Sequence, residues 1–206
     1  MKLESVASIS YLDEAGKPID ADAFIGKIRA NGHFGISKKP GSADALPDVV
    51  LRLQTKDEAE GKFTKLKQGQ AFPQFHLTRL DKAAVDNRVF EGKYTLVSFY
   101  FAECGPCVRE VPLLNALAER RKDVNLLAIT FDSAKETSQF VAKHGLAWPV
   151  VTDAKGLTDA IGVRAYPTMA LIDPMGKLVE VTTGSALLEN AAAFDAWLNK
   201  RMVTAN

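Results

Sequence analysis

Cysteine is scarce in this chain: among 206 residues there are two, Cys104 and Cys107. No disulfide framework can brace the fold, so packing has to hold it. Charge of one sign is also missing. Lys and Arg number 26 against 25 Asp and Glu, a net +1, which gives no broad field for nucleic acid or an anionic membrane. The histidines, His33, His76 and His144, are scattered, and with two cysteines they make no zinc spacing. No metal, cofactor or nucleic-acid partner is expected. No apolar run is long enough to span a bilayer. Met1-Lys2-Leu3-Glu4-Ser5 turns polar before an apolar leader core can develop. Either the chain is cytoplasmic, or a leader was removed and Met1 was added; the residues do not choose. What remains is ordinary globular composition, 47% hydrophobic and 25% charged. The length suits one domain with a sizeable core plus an extension.

Both cysteines fall in one tetrapeptide, Cys104-Gly105-Pro106-Cys107. An apolar run precedes it, residues 94–101 (YTLVSFYF), and a helical pattern follows over residues 108–121. A C-x-x-C that ends a strand and opens a helix reads as a redox pair. A thiol there faces unpaired backbone N–H groups and the positive helix end, both favouring the thiolate that attacks disulfides. Pro106 suits the first helical turn. Cys104, preceding the helix, is expected to be the more exposed sulfur and the nucleophile, with Cys107 resolving the mixed disulfide. A static disulfide across two residues would stabilise little, and half a metal site lacks its other ligands.

Along the chain, residues 1–66 read as a small α+β extension and residues 67–206 as the main domain. Strands are expected at 6–12 and 48–54, with a short helix capped by Asp20 or Asp22 and ended near Asn31-Gly32. Residues 38–47 read as a loop and 56–67 as a charged linker or helix. The extension reads as a scaffold over a sheet edge or as a docking surface. In the main domain, strands are expected at 75–80, 94–101, 124–131, 148–151, 168–172 and 178–182. Residues 82–92 read as a polar connection. Helices are expected at 108–121, with Pro112 as a kink, at 133–144 behind a Ser133/Glu136 capping box, at 157–161 and at 187–202. Asp173-Pro174-Met175-Gly176 reads as a hairpin turn. Alternation followed by a hairpin predicts an α/β fold, a mixed sheet between helices.

With these motifs in order, residues 67–203 resemble the thioredoxin superfamily, and within it the TlpA/ResA-type thiol–disulfide oxidoreductases with a redoxin-type domain. C-G-P-C is thioredoxin's own tetrapeptide. Gly69 through Phe75 is similar to the family's G-x-x-x-P-x-F opening, Glu110-Val111-Pro112 to its E-x-P, and Ala165-Tyr166-Pro167-Thr168 to its later proline loop. The resemblance implies a thioredoxin-like fold, a redox disulfide between Cys104 and Cys107, and a cis bond before Pro167. It implies protein disulfides as substrates, paired along the backbone of Tyr166, an upstream thiol donor, a monomer, and an extracytoplasmic, bacterial-envelope location. The Tyr166 ring reads either as a partner contact or as packing. Glu110, three residues past Cys107, reads as a proton shuttle or thiol modulator, or else as a solvated surface residue.

Two departures stand out. Relatives usually carry Trp just before the first cysteine, where this chain has Glu103. A carboxylate beside Cys104 disfavours its thiolate. Thioredoxin's buried Asp aligns with Ser98, so acid–base help has to come from elsewhere, with Glu110 the candidate. The leading reading is a protein-disulfide reductase. Its alternatives are an isomerase or oxidase of the same fold, or a partner-docking module. A peroxidase would need Pro and Thr or Ser ahead of its cysteine, and residues 97–103 hold neither proline nor threonine. Copper carriage would need a wider cysteine spacing and a suitable histidine.

Overall fold

A computed structural model describes residues 6–39, 46, 48–60, 62–183 and 188–203. The chain divides into two units, Met1–Glu60 and Gly61–Asn206.

In the first unit, β1 (Ile9–Leu12) pairs parallel with β4 (Asp48–Gln54) and antiparallel with β2 (Pro18–Ile19). β3 (His33–Lys39) pairs antiparallel with β4 along its whole length. The helix α1 (Ala21–Asn31) starts at Asp20, whose carboxylate accepts from the Ala23 N–H at 2.7 Å and so satisfies one of the orphan donors. Its Phe24 is buried and meets the rings of Tyr11 and Phe34. A single turn, α2 (Lys56–Ala59), is closed by a Thr55/Glu58 capping box. β3 was not expected: HFGISKK is polar and glycine-bearing, and pairing with the apolar β4 decides its state. Lys38 and Lys39 lie in it, and most of the expected loop, residues 40–45 and 47, falls outside the described residues.

The second unit is built on a five-stranded sheet, β7 (Thr95–Tyr100) at its centre beside β8 (Asn125–Thr130) and β10 (Thr168–Ile172), with β9 (Val150–Val151) and β11 (Leu178–Thr182) at the edges. β8 runs parallel to β7 and β9; β10 runs antiparallel to β7 and β11, so the sheet is mixed. Both faces are covered. Val97 and Phe99 point into one core with Leu127, Ile129 and Ile172; Leu96 and Tyr100 point into the other with Met169, Leu171 and Phe194. That accounts for the near-continuous apolar runs of β7 and β8. The first core is closed by α5 (Lys155–Ile161) and by residues 62–90. The second is closed by α3 (Gly105–Arg120), α4 (Ala134–His144) and α6 (Ala191–Val203).

Several local expectations correspond to named contacts. Ser133 and Glu136 form the capping box of α4, and Gly145 ends it in the left-handed conformation at φ 73°. Residues 82–92 are more than a polar connection. β6 (Ala84–Asp86) pairs with β5 (His76–Thr78), and a 3-10 turn over Asn87–Phe90 buries Phe90. Phe63 and Leu66, in the segment read as extension, are buried in the core of the second unit. The backbone N–H groups of Thr64, Lys65 and Leu66 donate to the carbonyls of Gly162 and Ile161 at the end of α5. Leu187, expected to open the terminal helix, lies outside the described residues, and α6 is described from Ala191.

Candidate active site

β7 delivers the chain to the top of the sheet and α3 takes it away, and the tetrapeptide sits at the join. α3 starts at Gly105, three residues earlier than its apolar pattern suggests, because Gly105 and Pro106 supply the first turn. Cys104 is therefore the N-cap. Its Sγ accepts from the Cys107 N–H at 3.1 Å, the contact that a thiolate there would use. The Cys104 N–H donates to the Phe101 carbonyl at 3.1 Å and closes the approach from β7. Cys104 and Cys107 are joined by a disulfide, with their Cα atoms 5.2 Å apart. The two are equally buried in this oxidised state, each 3% exposed, so exposure does not single out Cys104 as expected. Position in the cap separates them: Gly105, Pro106 and Glu103 around Cys104 are exposed, while Cys107 faces inward.

Beneath Cys107 lies a cavity of about 10 Å³, room for about one water molecule. Ser98, Tyr100, Cys107, Glu110 and Pro167 line it. Glu110 is 2% exposed, so it is not a solvated surface residue. One helical turn brings its carboxyl into the cavity that holds Cys107, beside the strand position where Ser98 stands. The Tyr166–Pro167 bond is cis, and Pro167 is buried against the same cavity. Sites far apart in sequence, on β7, α3 and the loop before β10, thus meet at Cys107. Glu103 is exposed and does not line this cavity.

Tyr166 packs edge-on against Phe101 and Phe131, with ring centroids 5.4 and 5.7 Å apart. Burial pushes its phenol up to about 12. Phe131 remains 38% exposed. The rings of Phe101 and Phe131, and the carboxylate of Asp132, were not singled out from sequence. The available signal was their place at the ends of two adjacent parallel strands. Among the described residues, no three His, Cys, Asp or Glu side chains converge as a metal site, and no helix is long and apolar enough to cross a membrane.

A central mixed sheet, a C-x-x-C at a helix start and a facing cis-proline loop define a thioredoxin-like redox protein. The chain belongs to the Redoxin family, whose model matches residues 67–195. It is similar to the thiol-disulfide oxidoreductase ResA of Halalkalibacterium halodurans, 36% identical over 123 residues, 57% of this chain and 69% of that one. It is also similar to the protein of that name from Bacillus thuringiensis subsp. konkukian, 32% identical over 138 residues, 63% of this chain and 79% of that one. Among solved structures, the thioredoxin domain of a thiol-disulfide oxidoreductase from Bacteroides vulgatus shares the fold, with a TM-score of 0.56 at 24% identity over 66% of this chain and 98% of that one.

Proposed function

We propose that this protein is a thiol–disulfide oxidoreductase that reduces protein disulfides by dithiol–disulfide exchange. The observation that carries the reading is the cap geometry: Cys104 Sγ sits on the Cys107 N–H at the start of α3. In the reduced protein, the Cys104 thiolate attacks one sulfur of a substrate disulfide. That S–S bond breaks, one substrate sulfur leaves as a thiolate, and a mixed disulfide forms on Cys104. The Cys107 thiol gives up its proton and attacks Cys104 Sγ, releasing the second substrate thiolate, which is protonated. The substrate disulfide gains two electrons from the dithiol, one proton from Cys107 and one from solvent, into which Cys104 had already released its own, and the protein ends as the disulfide. An upstream dithiol then reduces it.

Glu110 supports the second step. Its carboxyl shares a one-water cavity with Cys107, within reach of the proton that the resolving thiol gives up. It supplies the acid–base group that Ser98 cannot. The backbone at Tyr166 and Pro167 offers an extended substrate segment a pairing edge beside the cysteines. Glu103 in the place of the usual Trp disfavours the Cys104 thiolate and moves the pair toward reduction of its partners. By resemblance, the working location is extracytoplasmic, with the chain acting as a monomer.

Reduction of insulin disulfides by dithiothreitol, followed by turbidity, tests the activity. The rate is expected to rise with the protein and to return to background with Cys104→Ser. An increase that survives Cys104→Ser would overturn the reading.

A further inference from the structure

The stretch between β7 and α3 has no strand partner of its own, yet its backbone is held from the side. The Ala102 N–H donates to the Asp132 carboxylate at 2.6 Å. Ala102 lies two residues before Cys104, and the next bond along is Cys104 N–H to Phe101 carbonyl. A charged acceptor makes this bond stronger than an ordinary backbone pair. The same carboxylate oxygen accepts from the Thr130 hydroxyl at 2.7 Å. The Asp132 N–H donates to that hydroxyl oxygen at 3.1 Å, and its carbonyl accepts from the Asp153 N–H at 2.8 Å. Thr130 is fully buried at the end of β8 and sits in register with Tyr100 at the end of β7. Asp132 is thus fixed at three points and holds the loop at a fourth. The buried Tyr100 phenol, raised first by burial and then by the charge of Asp132, registers the carboxylate's proximity from the β7 side.

We propose that Asp132 is a positioning residue for the exchange reaction: its carboxylate acceptor fixes the Ala102 N–H and, through it, the Cys104 sulfur on its helix cap. This inference rests on the Cys104 chemistry proposed above. Glu110 and the cavity below Cys107 serve the resolving sulfur, whereas Asp132 acts on the approach to the attacking one. Loss of the acceptor frees residues 101–103, and misplacement of an attacking atom by about 1 Å is enough to cost rate heavily.

The test compares Asp132→Ala with Asp132→Asn in the full chain. Both remove the charge, and only Asn keeps an oxygen acceptor, so a difference between them reports the acceptor rather than the charge. The readouts are the second-order rate constants of the reduced protein with hydroxyethyl disulfide and with insulin. Asp132→Ala is expected to lose about tenfold with both substrates, and Asp132→Asn to stay within about threefold of the parent protein. A rate for Asp132→Ala within about twofold of the parent, or an equal loss in Asp132→Asn, would overturn the proposal. Near-ultraviolet circular dichroism checks the fold. If Asp132→Ala does not fold, Thr130→Val decides: it removes the hydroxyl that holds the carboxylate, and a loss of threefold or more supports the positioning role while an unchanged rate ends it. Alkylation of Cys104 by iodoacetamide in the same proteins needs no disulfide substrate. A failed reductase assay with the parent protein is therefore distinguishable from a failed Asp132 effect.

Discussion

Cys104 and Cys107 carry the same chemistry in different surroundings, and that difference is testable at the scale of single residues. Cys107→Ser leaves the attacking sulfur without a resolver, so partners should accumulate as mixed disulfides on Cys104, detectable by mass spectrometry. Cys104→Ser should trap none. Glu110→Gln keeps the side chain's size and removes the ionisable carboxyl. Resolution of the mixed disulfide is expected to slow by about 10²-fold, the lower end of general acid–base contributions, while the first attack changes little; equal slowing of both steps would contradict the assignment to Cys107. Glu103→Gln should lower the Cys104 pKa measured by thiolate absorbance, because a like charge beside the anion is removed. The sequence disclosed the tetrapeptide and the helical phase of Glu110. It did not disclose the burial of Glu110 or the bond from Ala102 to Asp132, since both depend on which strand ends stand side by side.

At the scale of elements, the strands and helices with strong internal pattern were legible. β7, β8, β10 and β11 lie where apolar runs predict, and the Ser133 cap and Gly145 stop bound α4 as read. The misses were elements whose state is set by a neighbour: β3, which depends on β4, and β6, which depends on β5. The end of α5 gives a prediction. Gly162 has φ +79°, and an added Cβ would lie 2.1 Å from Thr64 Oγ1 and 2.9 Å from Lys65 N. Gly145 has a similar φ with nothing within 4 Å. Gly145→Ala should cost about 1 kcal/mol for the backbone conformation alone, and Gly162→Ala about 2–4 kcal/mol for conformation plus clash. Denaturant unfolding of the two variants measures the difference, and equal costs would show that the 62–66 segment does not pack there.

In the first unit, Glu58 receives the Arg52 guanidinium at 2.9 Å while its carboxylate also caps Thr55. Burial works against the charge, but the Arg52 and Thr55 bonds outweigh it and hold the carboxyl below its ordinary value. A lowered folded value means stability present above the ordinary glutamate pKa of 4.5 and lost as pH falls through the lowered one. Unfolding of the parent protein should therefore lose stability on acidification through that window, and Glu58→Gln should abolish that part of the dependence. An unchanged profile would contradict it.

At the scale of the molecule, composition and motif order indicated one redox domain with an extension and put the domain start at residue 67, whereas two side chains of its core lie earlier. Charged residues between 56 and 67 mask two core side chains, Phe63 and Leu66, and Phe63 stacks edge-on against Phe99 at 5.4 Å. A chain beginning at residue 67 should be less stable than one beginning at residue 61 by about 3–5 kcal/mol, the usual cost of removing a buried aromatic; matching melting curves would place the core start later.

The most direct test of the account is the site of the covalent intermediate. Reduced Cys107→Ser protein, mixed with insulin and quenched in acid, should yield a disulfide-linked peptide containing residue 104 and one insulin chain. Linkage at no cysteine of this chain, with the parent protein still reducing insulin, would contradict exchange through Cys104.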